Sequence, residues 1–276
     1  MIVNRLVNKN FSNNAKNYNL AGRFQKDAAI DFFKLLLHKK ILNIREHKIS
    51  QNICEIGAGT GFLSQQIVEN IEFEKFVISD ISTAMLNVCQ ENISLNENYN
   101  ILADKIKFEN YDFNGDELVG DNFQLIISAM ALQWAENLAM SVRNISQMFS
   151  EDKFEKYLVF TTLTNNTFVK LHQAFRNCAL QYPGPKLLTV EEIKKSCHET
   201  FFDVEIQTKN YEVGYKNVFD FLKAIQLTGA GNATDSFYSV KLMRAVVKEF
   251  EKLNVDCDMA IADYEVATVI CKKLKS

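Results

Sequence analysis

The 276-residue sequence lacks the features that mark several large classes of protein. It has no run of about 18 uninterrupted apolar residues and no apolar stretch near its N-terminus, so neither a membrane span nor a secretory signal is expected. Its six cysteines form no CxxC or CxxxC pair, which argues against a zinc site or a disulfide framework and favours a reducing, cytoplasmic setting. Cys197 and His198 are adjacent, but neighbours on a helix point to different sides, so no metal is expected.

Proline and internal repeats are also scarce. Pro183 and Pro185 are the only prolines, and their segment QYPGPKLLT is the clearest break in the chain. No unit of about 20–50 residues recurs, which excludes solenoids and propellers. With 47% hydrophobic and 24% charged residues, the composition is that of a folded, soluble protein.

The net charge of −3 conceals an uneven distribution, because residues 1–50 hold ten Lys and Arg against three Asp and Glu. One interpretation is a docking surface for an acidic partner. The other is a solvated helix end and loop containing Lys39, Lys40, Arg45 and Lys48. No base-stacking motif or zinc-finger spacing accompanies the charge, so nucleic-acid binding is not expected.

Short β-rich runs alternate with helical patterns over the first two thirds of the chain. An amphipathic helix is predicted at 20–39 from apolar residues three and four apart. The predicted strands lie at 53–57, 75–80, 105–113, 123–130 and 157–163, and the helices between them at 62–70, 83–92 and 140–149. Strict alternation predicts an α/β fold with a parallel sheet and helices on both faces.

The rhythm changes beyond residue 165. Two helices are predicted at 167–181 and 189–199, the second opened by a capping box from Thr189 to Glu192. A strand at 204–213, a mostly helical stretch at 217–253 and a last strand at 263–273 follow. Helices inserted late in an α/β chain usually cover the carboxyl edge of the sheet, so these are expected to form a lid.

A glycine-rich loop follows the first predicted strand. It reads Glu55-x-Gly57-x-Gly59-x-Gly61 and opens the next helix, where an open parallel sheet binds its ligand. Gly57 and Gly59 permit a tight turn and a close approach of the ligand. Taken alone, such a loop is weak evidence, and a purely structural turn is the alternative.

Two carboxylates at the ends of later strands narrow the choice of ligand. Asp80 lies about 20 residues past the loop, where a carboxylate accepts both hydroxyls of a ribose. It could instead cap the helix at 83–92, although Ser82 or Thr83 can fill that role. Asp112 could accept the exocyclic amine of an adenine. The loop is not G-x-G-x-x-G and no second nucleotide-binding half follows, which favours S-adenosylmethionine over a dinucleotide.

At this point residues 45–165 resemble the class I S-adenosylmethionine-dependent methyltransferases. Motifs that the class as a whole does not share are similar to one branch, the malonyl-acyl carrier protein O-methyltransferases of biotin synthesis, or BioC family. These motifs are SAMALQWAENL at 128–138, FTTLTNNTFVKLHQAF at 160–175, LKAIQLTGAGNAT at 222–234, and the spacing of Phe11, Ala15, Tyr18 and Gln25.

The resemblance implies a Rossmann-like seven-stranded methyltransferase sheet, with helices on both faces and a helical lid insertion. It implies an N-terminal helical cover at 1–45 and a methyltransferase domain at 46–276, with lid segments at about 166–200 and 217–253. The family methylates the free carboxyl of a malonyl group on acyl carrier protein. We therefore expect a monomer that uses S-adenosylmethionine on malonyl-acyl carrier protein or malonyl-coenzyme A, for pimeloyl and biotin synthesis.

The resemblance also carries residue roles onto matching positions. Glu55, Gly57, Gly59 and Gly61 would cradle the aminocarboxypropyl tail of the donor, and Asp80 its ribose. The adenine would be held by Ile81, Asp112 and Phe113. Tyr18 and Gln25 would cover the donor, and Ser128 and Trp134 would line the reaction chamber. Apart from the resemblance, His172 and Arg143 are candidates to hold the acceptor carboxylate by their positions; the alternatives are a surface or satisfied histidine and an arginine in a structural salt bridge.

Three departures from the family pattern concern the acceptor side and one surface loop. Ala129 replaces a common Asn, Gln226 stands near a common Lys, and SEDKFEK replaces a Pro-Gly-Gly hairpin before the fifth strand. Two alternatives therefore stay open. One is a methyltransferase with another small-molecule or protein acceptor, and the other is an assembly factor without small-molecule activity.

Overall fold

A computed structural model describes residues 2–42, 51–115, 122–151, 155–228, 238–254 and 259–273. Its centre is a seven-stranded sheet of order β3-β2-β1-β4-β5-β7-β6. The strands are β1 Gln51–Ile56, β2 Phe73–Asp80, β3 Ile106–Asn110, β4 Leu125–Ala129, β5 Lys156–Leu163, β6 Asp203–Tyr215 and β7 Ala260–Lys273.

The first five strands are parallel and the last two are antiparallel to their neighbours. β1 pairs with β2 and β4, β2 with β3, and β4 with β5, all in parallel register. β7 lies between β5 and β6 and runs antiparallel to both, from Lys156 opposite Lys273 to Leu163 opposite Val266 on the β5 side. The sheet is therefore mixed, because β7 runs in the opposite direction to the other six strands.

Ten α-helices and two short 3-10 helices, Ala103–Lys105 and Leu132–Trp134, accompany the sheet in the described ranges. The α-helices are α1 Ile2–Ala21, α2 Arg23–His38, α3 Phe62–Asn70, α4 Thr83–Ser94, α5 Tyr99–Leu102, α6 Leu138–Ser146, α7 Val169–Asn177, α8 Val190–His198, α9 Val218–Leu227 and α10 Val240–Leu253. None of them is both long and apolar enough to cross a membrane.

Several helix boundaries in the structure differ from the predicted ones. The helix expected at 20–39 is α2, and Gly22 separates it from α1. The helix expected at 167–181 ends at Asn177, because the chain turns at Ala179, whose φ is +54°. The capping box of α8 is confirmed in both directions, from Glu192 N to Thr189 and from Thr189 N to the Glu192 carboxylate. The helical stretch expected at 217–253 contains α9 and α10.

Alternation along the central strands divides the core between the two faces of the sheet. In β1, Cys54 and Ile56 pack on one face with Val142 and Leu158, whereas Ile53 packs on the other face among the side chains of α2 and α3. A third apolar cluster joins α2, α7, α9, α10 and β7, and it is rich in aromatic rings. The first two clusters hold the parallel strands in place, and the third encloses a space beyond their carboxyl ends.

Candidate functional site

A cleft of about 860 Å³ opens at the carboxyl ends of β1, β2 and β4, and we call it the strand-end cleft. Its floor comes from the loop after β1, the end of β2, residues 111–114 after β3, and residues 129–131 after β4. Ligands of open α/β sheets bind at this edge, where the strand order reverses between β1 and β4. The topology therefore places the loop and the strand-end carboxylates around one space.

The loop after β1 depends on glycine at three positions. Gly57, Gly59 and Gly61 have φ angles of +69°, +57° and +88°. A Cβ on Gly57 would lie 2.3 Å from the Cβ of Ala131, and one on Gly61 would lie 2.6 Å from the Sγ of Cys89. A Cβ on Gly59 would meet nothing within 4 Å. Gly57 and Gly61 thus serve packing, whereas Gly59 leaves room in the cleft.

Asp80 ends β2 and is held by two backbone amides. Its Oδ2 accepts from Gly59 N and its Oδ1 from Ser82 N, both at 2.8 Å. Ser82 itself caps α4, because its hydroxyl accepts from Met85 N at 3.2 Å. Asp80 is therefore free of the capping role, and its carboxylate, 8% exposed, lines the cleft. Burial raises the pKa of Asp80, and the two amides oppose that shift.

Glu55 lies near the end of β1 and also lines the cleft. Its carboxylate accepts from the Ser64 hydroxyl of α3 at 2.5 Å. Burial, with a smaller contribution from the Asp80 charge, raises the pKa of Glu55 to about 7. This carboxyl therefore changes charge near neutral pH, where a cationic ligand would favour its ionised form.

α1 covers the strand-end cleft. The Phe11 ring meets the Trp134 ring edge-on at 5.7 Å between centroids, and the Tyr18 ring lies 6.1 Å from that of Phe62. The Thr60 hydroxyl donates to the Asn19 side-chain oxygen at 2.6 Å, which ties α1 to the glycine loop. Aromatic contacts and hydrogen bonds together place the Phe11 and Tyr18 side chains against the space below them.

A second space of about 610 Å³, which we call the aromatic chamber, adjoins the cleft. Both spaces are lined by Phe11, Tyr18, Gln25, Met130 and Trp134. The chamber also has residues of its own, namely Phe24, Gln133, Leu163, Phe168, Tyr182, Pro185, Leu187, Ile225, Thr228 and Tyr264. The two spaces thus share one wall, so ligands in them would lie side by side.

Most of the predicted site residues line the strand-end cleft. These are Tyr18, Gln25, Glu55, Gly57, Gly59, Asp80, Ile81, Asp112, Phe113 and Trp134. Asp112 and Phe113 lie after β3 and not on the strand expected at 105–113, because the chain turns there, with Gly115 N bonded to the Asp112 carbonyl. Their assignment to particular parts of a donor stays a prediction.

Four predicted site residues lie outside both linings. Gly61 precedes α3 and packs against Cys89 behind the loop. Ser128 is fully buried in β4, and Arg143 is exposed on α6. His172 lies behind Tyr182, with 4.5 Å between the ring centroids. Arg143 and His172 therefore do not reach either space directly in this structure, because other side chains form its walls.

Sequence reasoning missed several lining residues. Tyr111 lines the cleft with a buried hydroxyl that has no hydrogen-bond partner in the described part of the chain. Met130 and Phe168 line the chamber with φ angles of +57° and +56°, a conformation that non-glycine residues adopt at a cost. Side-chain type gives no signal for such backbone geometry. Of the family departures, Ala129 lines the cleft and Gln226 is exposed on α9.

The structure places part of the basic N-terminal segment. Lys39 forms an ion pair with Glu205 of β6 at 2.5 Å. It also lies beyond the C-terminus of α2, about 20 Å along the helix from Gln25, which lines the cleft. The docking surface and the solvated helix end therefore both stay predictions. Arg45 and Lys48 lie outside the described residues.

Comparison with known proteins decides the class of the domain. Residues 53–152 match the family described as "Methyltransferase domain". This range runs from β1 to the loop between α6 and β5. These residues form a methyltransferase domain. The match covers the glycine loop, Asp80, Asp112 and Trp134, which are the positions that the strand-end cleft brings together.

Similarity to individual proteins extends beyond the methyltransferase domain. The chain is 27% identical to "Malonyl-[acyl-carrier protein] O-methyltransferase 1" of Ilyobacter polytropus, over 84% of this chain and 80% of that protein. It is 25% identical to "Malonyl-[acyl-carrier protein] O-methyltransferase" of Acetivibrio thermocellus, over 99% and 95%. The expected resemblance to this family is confirmed.

A solved structure confirms the fold. A putative methyltransferase from Bacillus halodurans superposes with a TM-score of 0.61 at 12% identity, covering 87% of this chain and 98% of that one. The expected Rossmann-like methyltransferase sheet with seven strands is therefore present.

The residues of the strand-end cleft fit S-adenosylmethionine, the expected cofactor. Asp80 presents buried carboxylate oxygens suited to ribose hydroxyls, and Glu55 supplies an anionic group suited to the cationic amine of the donor. The space beside Gly59, which a Cβ would fill, gives the ligand close access to the backbone. In the described ranges no three His, Cys, Asp or Glu side chains cluster as metal ligands would.

Proposed function

We propose that this chain transfers a methyl group from S-adenosylmethionine to the free carboxylate of a malonyl group on acyl carrier protein. The product would be a malonyl methyl ester. The observation that carries the proposal is the aromatic chamber, which adjoins the strand-end cleft through five shared residues. A methyl donor in the cleft and an acceptor in the chamber would then meet at Met130 and Trp134.

The names of the relatives support this choice of acceptor. Both relatives described above are named as malonyl-acyl carrier protein O-methyltransferases, and the second aligns with 99% of this chain. The alignment therefore includes the helices and turns that form the aromatic chamber, and not the methyltransferase domain alone. In the BioC family the methyl ester enters pimeloyl synthesis for biotin, and we extend that role to this chain.

The chemistry needs no general base from the protein. Carboxyl groups titrate near pH 4, so the malonyl carboxylate is already ionised and nucleophilic at neutral pH. One of its oxygens forms a bond to the methyl carbon, while the carbon–sulfur bond breaks and its electron pair stays on sulfur. When bound, S-adenosylmethionine supplies the methyl group on a cationic sulfur, which is a good leaving group.

The residues of the chain would act by orientation and by exclusion of water. Asp80 and the glycine loop would hold the donor next to the shared wall, and α1 would cover it. Phe11 and Trp134 close the wall with apolar surface. Because opposite charges disappear as carboxylate and sulfonium react, a dry site favours the step. Alignment of the reacting atoms at about 3–3.5 Å supplies several kcal/mol.

The direct test is methyl transfer from labelled S-adenosylmethionine to malonyl-acyl carrier protein. Malonyl-coenzyme A and free malonate are assayed alongside, and the products are followed by mass. We expect a gain of one methyl on the malonyl group, and the rates give the preference between carrier protein and coenzyme A. Donor binding without transfer to any malonyl compound would overturn the proposal and favour another acceptor or an assembly role.

A further inference from the structure

The aromatic chamber has four polar side chains that the strand-end cleft does not share, and three of them already donate or share a hydrogen bond within the protein. The Thr228 hydroxyl donates to the Ile225 carbonyl at 2.9 Å, and the Gln133 amide nitrogen donates to the Met130 carbonyl at 2.6 Å. The Gln133 Oε1 has no partner among the described residues, but it is an acceptor and cannot donate to a carboxylate. The Tyr264 hydroxyl is hydrogen-bonded with Tyr215. The fourth is Tyr182, whose hydroxyl bonds to no residue in the described part of the chain.

The ring of Tyr182 is fixed in the chamber wall from several sides. The His172 ring lies 4.5 Å away and the Phe175 ring meets it edge-on at 5.6 Å, measured between centroids. The break in the chain at Pro183 and Pro185 folds Gly184 against the same ring. A Cβ on Gly184 would lie 2.1 Å from a ring carbon of Tyr182 and 2.8 Å from its hydroxyl. A glycine at 184 therefore lets the ring occupy this position.

The Tyr182 and His172 side chains are both uncharged at neutral pH. Burial raises the pKa of Tyr182, which keeps the phenol protonated and able to donate. Burial and the nearby Arg176 charge lower the pKa of His172, so the imidazole packs as a neutral ring. His172, a candidate from the sequence for holding the acceptor, lies against the Tyr182 ring.

We propose that the Tyr182 hydroxyl donates a hydrogen bond to the acceptor's carboxylate, at the oxygen that is not methylated, and that His172 and Gly184 position it. The inference rests on the proposed function, because it takes the acceptor to be a carboxylate in the aromatic chamber. Tyr182 thereby orients the reacting oxygen toward the shared wall. A neutral donor suits this task, since it fixes the carboxylate without a competing permanent charge.

The experiment measures acceptor binding without turnover. Malonyl-coenzyme A is titrated into the protein loaded with S-adenosylhomocysteine, for the wild type and for Tyr182→Phe. We expect the dissociation constant to rise about tenfold or more in the variant, the loss typical of one hydrogen bond to a charged group. Acetyl-coenzyme A, which lacks the carboxylate, should bind both proteins equally. Binding of S-adenosylhomocysteine itself should not change.

Two further variants separate recognition from folding. Gly184→Ala keeps the hydroxyl but displaces the ring, so it should weaken malonyl-coenzyme A binding as Tyr182→Phe does. Tyr157→Phe removes a hydroxyl that bonds to Glu155 on β5, outside the chamber, and should bind as the wild type does. Equal binding by Tyr182→Phe and the wild type, in a wild type that methylates malonyl thioesters, would overturn this inference and leave the proposed function intact. A wild type that neither binds nor methylates them would overturn both.

Discussion

The strand-end cleft and the aromatic chamber lie side by side but are built by different means. The cleft is made of short segments at strand ends, and its polar groups are held by backbone amides, as the Asp80 carboxylate is by Gly59 and Ser82. The chamber is made of aromatic rings from α2, α7, β7 and the Tyr182 segment. The shape of the strand-end cleft therefore depends on local backbone geometry, whereas the shape of the aromatic chamber depends on side-chain packing.

The difference teaches where each region is sensitive to substitution. In the chamber, the rings that a ligand would touch are also the rings of the third apolar cluster. In the cleft, the polar groups suited to the donor, Glu55 and Asp80, lie outside the three apolar clusters. Changes of the chamber rings should therefore lower stability first, and changes of these polar groups should lower donor affinity first.

The largest effect is expected in the chamber. The buried Phe24 ring stacks on Tyr264 at 3.7 Å between centroids, so Phe24→Ala should lower the free energy of unfolding by about 3–5 kcal/mol. Urea unfolding measures this, and donor affinity in the folded variant should be unchanged. Phe219→Ala on α9, where the side chain is 61% exposed, is the control and should change stability by less than about 0.5 kcal/mol. A Phe24→Ala protein of wild-type stability would remove the distinction between the two regions.

Within the cleft, Gly57→Ala and Gly59→Ala form a matched pair at positive φ. Gly57→Ala adds the clash with Ala131 to the backbone cost, so it should destabilise the protein by about 2–5 kcal/mol. Gly59→Ala carries only the backbone cost of about 1–2 kcal/mol, but its methyl group enters the cleft. Thermal unfolding and donor titration should therefore rank the two variants in opposite orders. The same ranking by both measurements would contradict this account of the loop.

Asp80→Asn should weaken donor binding by about 10- to 100-fold, because it removes charge-assisted hydrogen bonds. Isothermal titration with S-adenosylhomocysteine measures the change. Asp31→Asn is a suitable control, since Asp31 bonds to Lys209 and Tyr211 away from the cleft. An unchanged affinity in Asp80→Asn would show that the donor binds elsewhere.

The smallest expected effect is a pH dependence from Glu55. Its pKa of about 7 means that the carboxyl is protonated at pH 6 and ionised at pH 8. A cationic donor amine favours the ionised form, so donor affinity should rise about tenfold between these values. In the free protein the same raised pKa lowers stability as pH increases from about 4.3 through 7, because the folded state binds more protons than the unfolded state there. Glu55→Gln should remove the pH dependence of donor affinity and that of stability. If either dependence persisted in the variant, another group would be its cause.

The parallel half of the sheet and the glycine loop were predictable from the sequence, because strands, turns and strand-end carboxylates leave local patterns. Asp80 and Asp112 were expected at strand ends for that reason, and both line the cleft. The antiparallel pairing of β7 was not predicted, since register between distant strands leaves no local signal. Tyr182 was missed for a similar reason. Its place in the chamber depends on contacts with His172 and Gly184, which a linear pattern shows only as a break near two prolines.

The wall between the two spaces has a thermodynamic consequence. Phe11, Tyr18 and Trp134 face both of them, so any rearrangement of these rings by one ligand alters the site of the other. Coupling of this kind is reciprocal, because the factor by which donor changes acceptor affinity must equal the factor by which acceptor changes donor affinity. A single substitution at Phe11 would then change two dissociation constants and the cooperativity that links them.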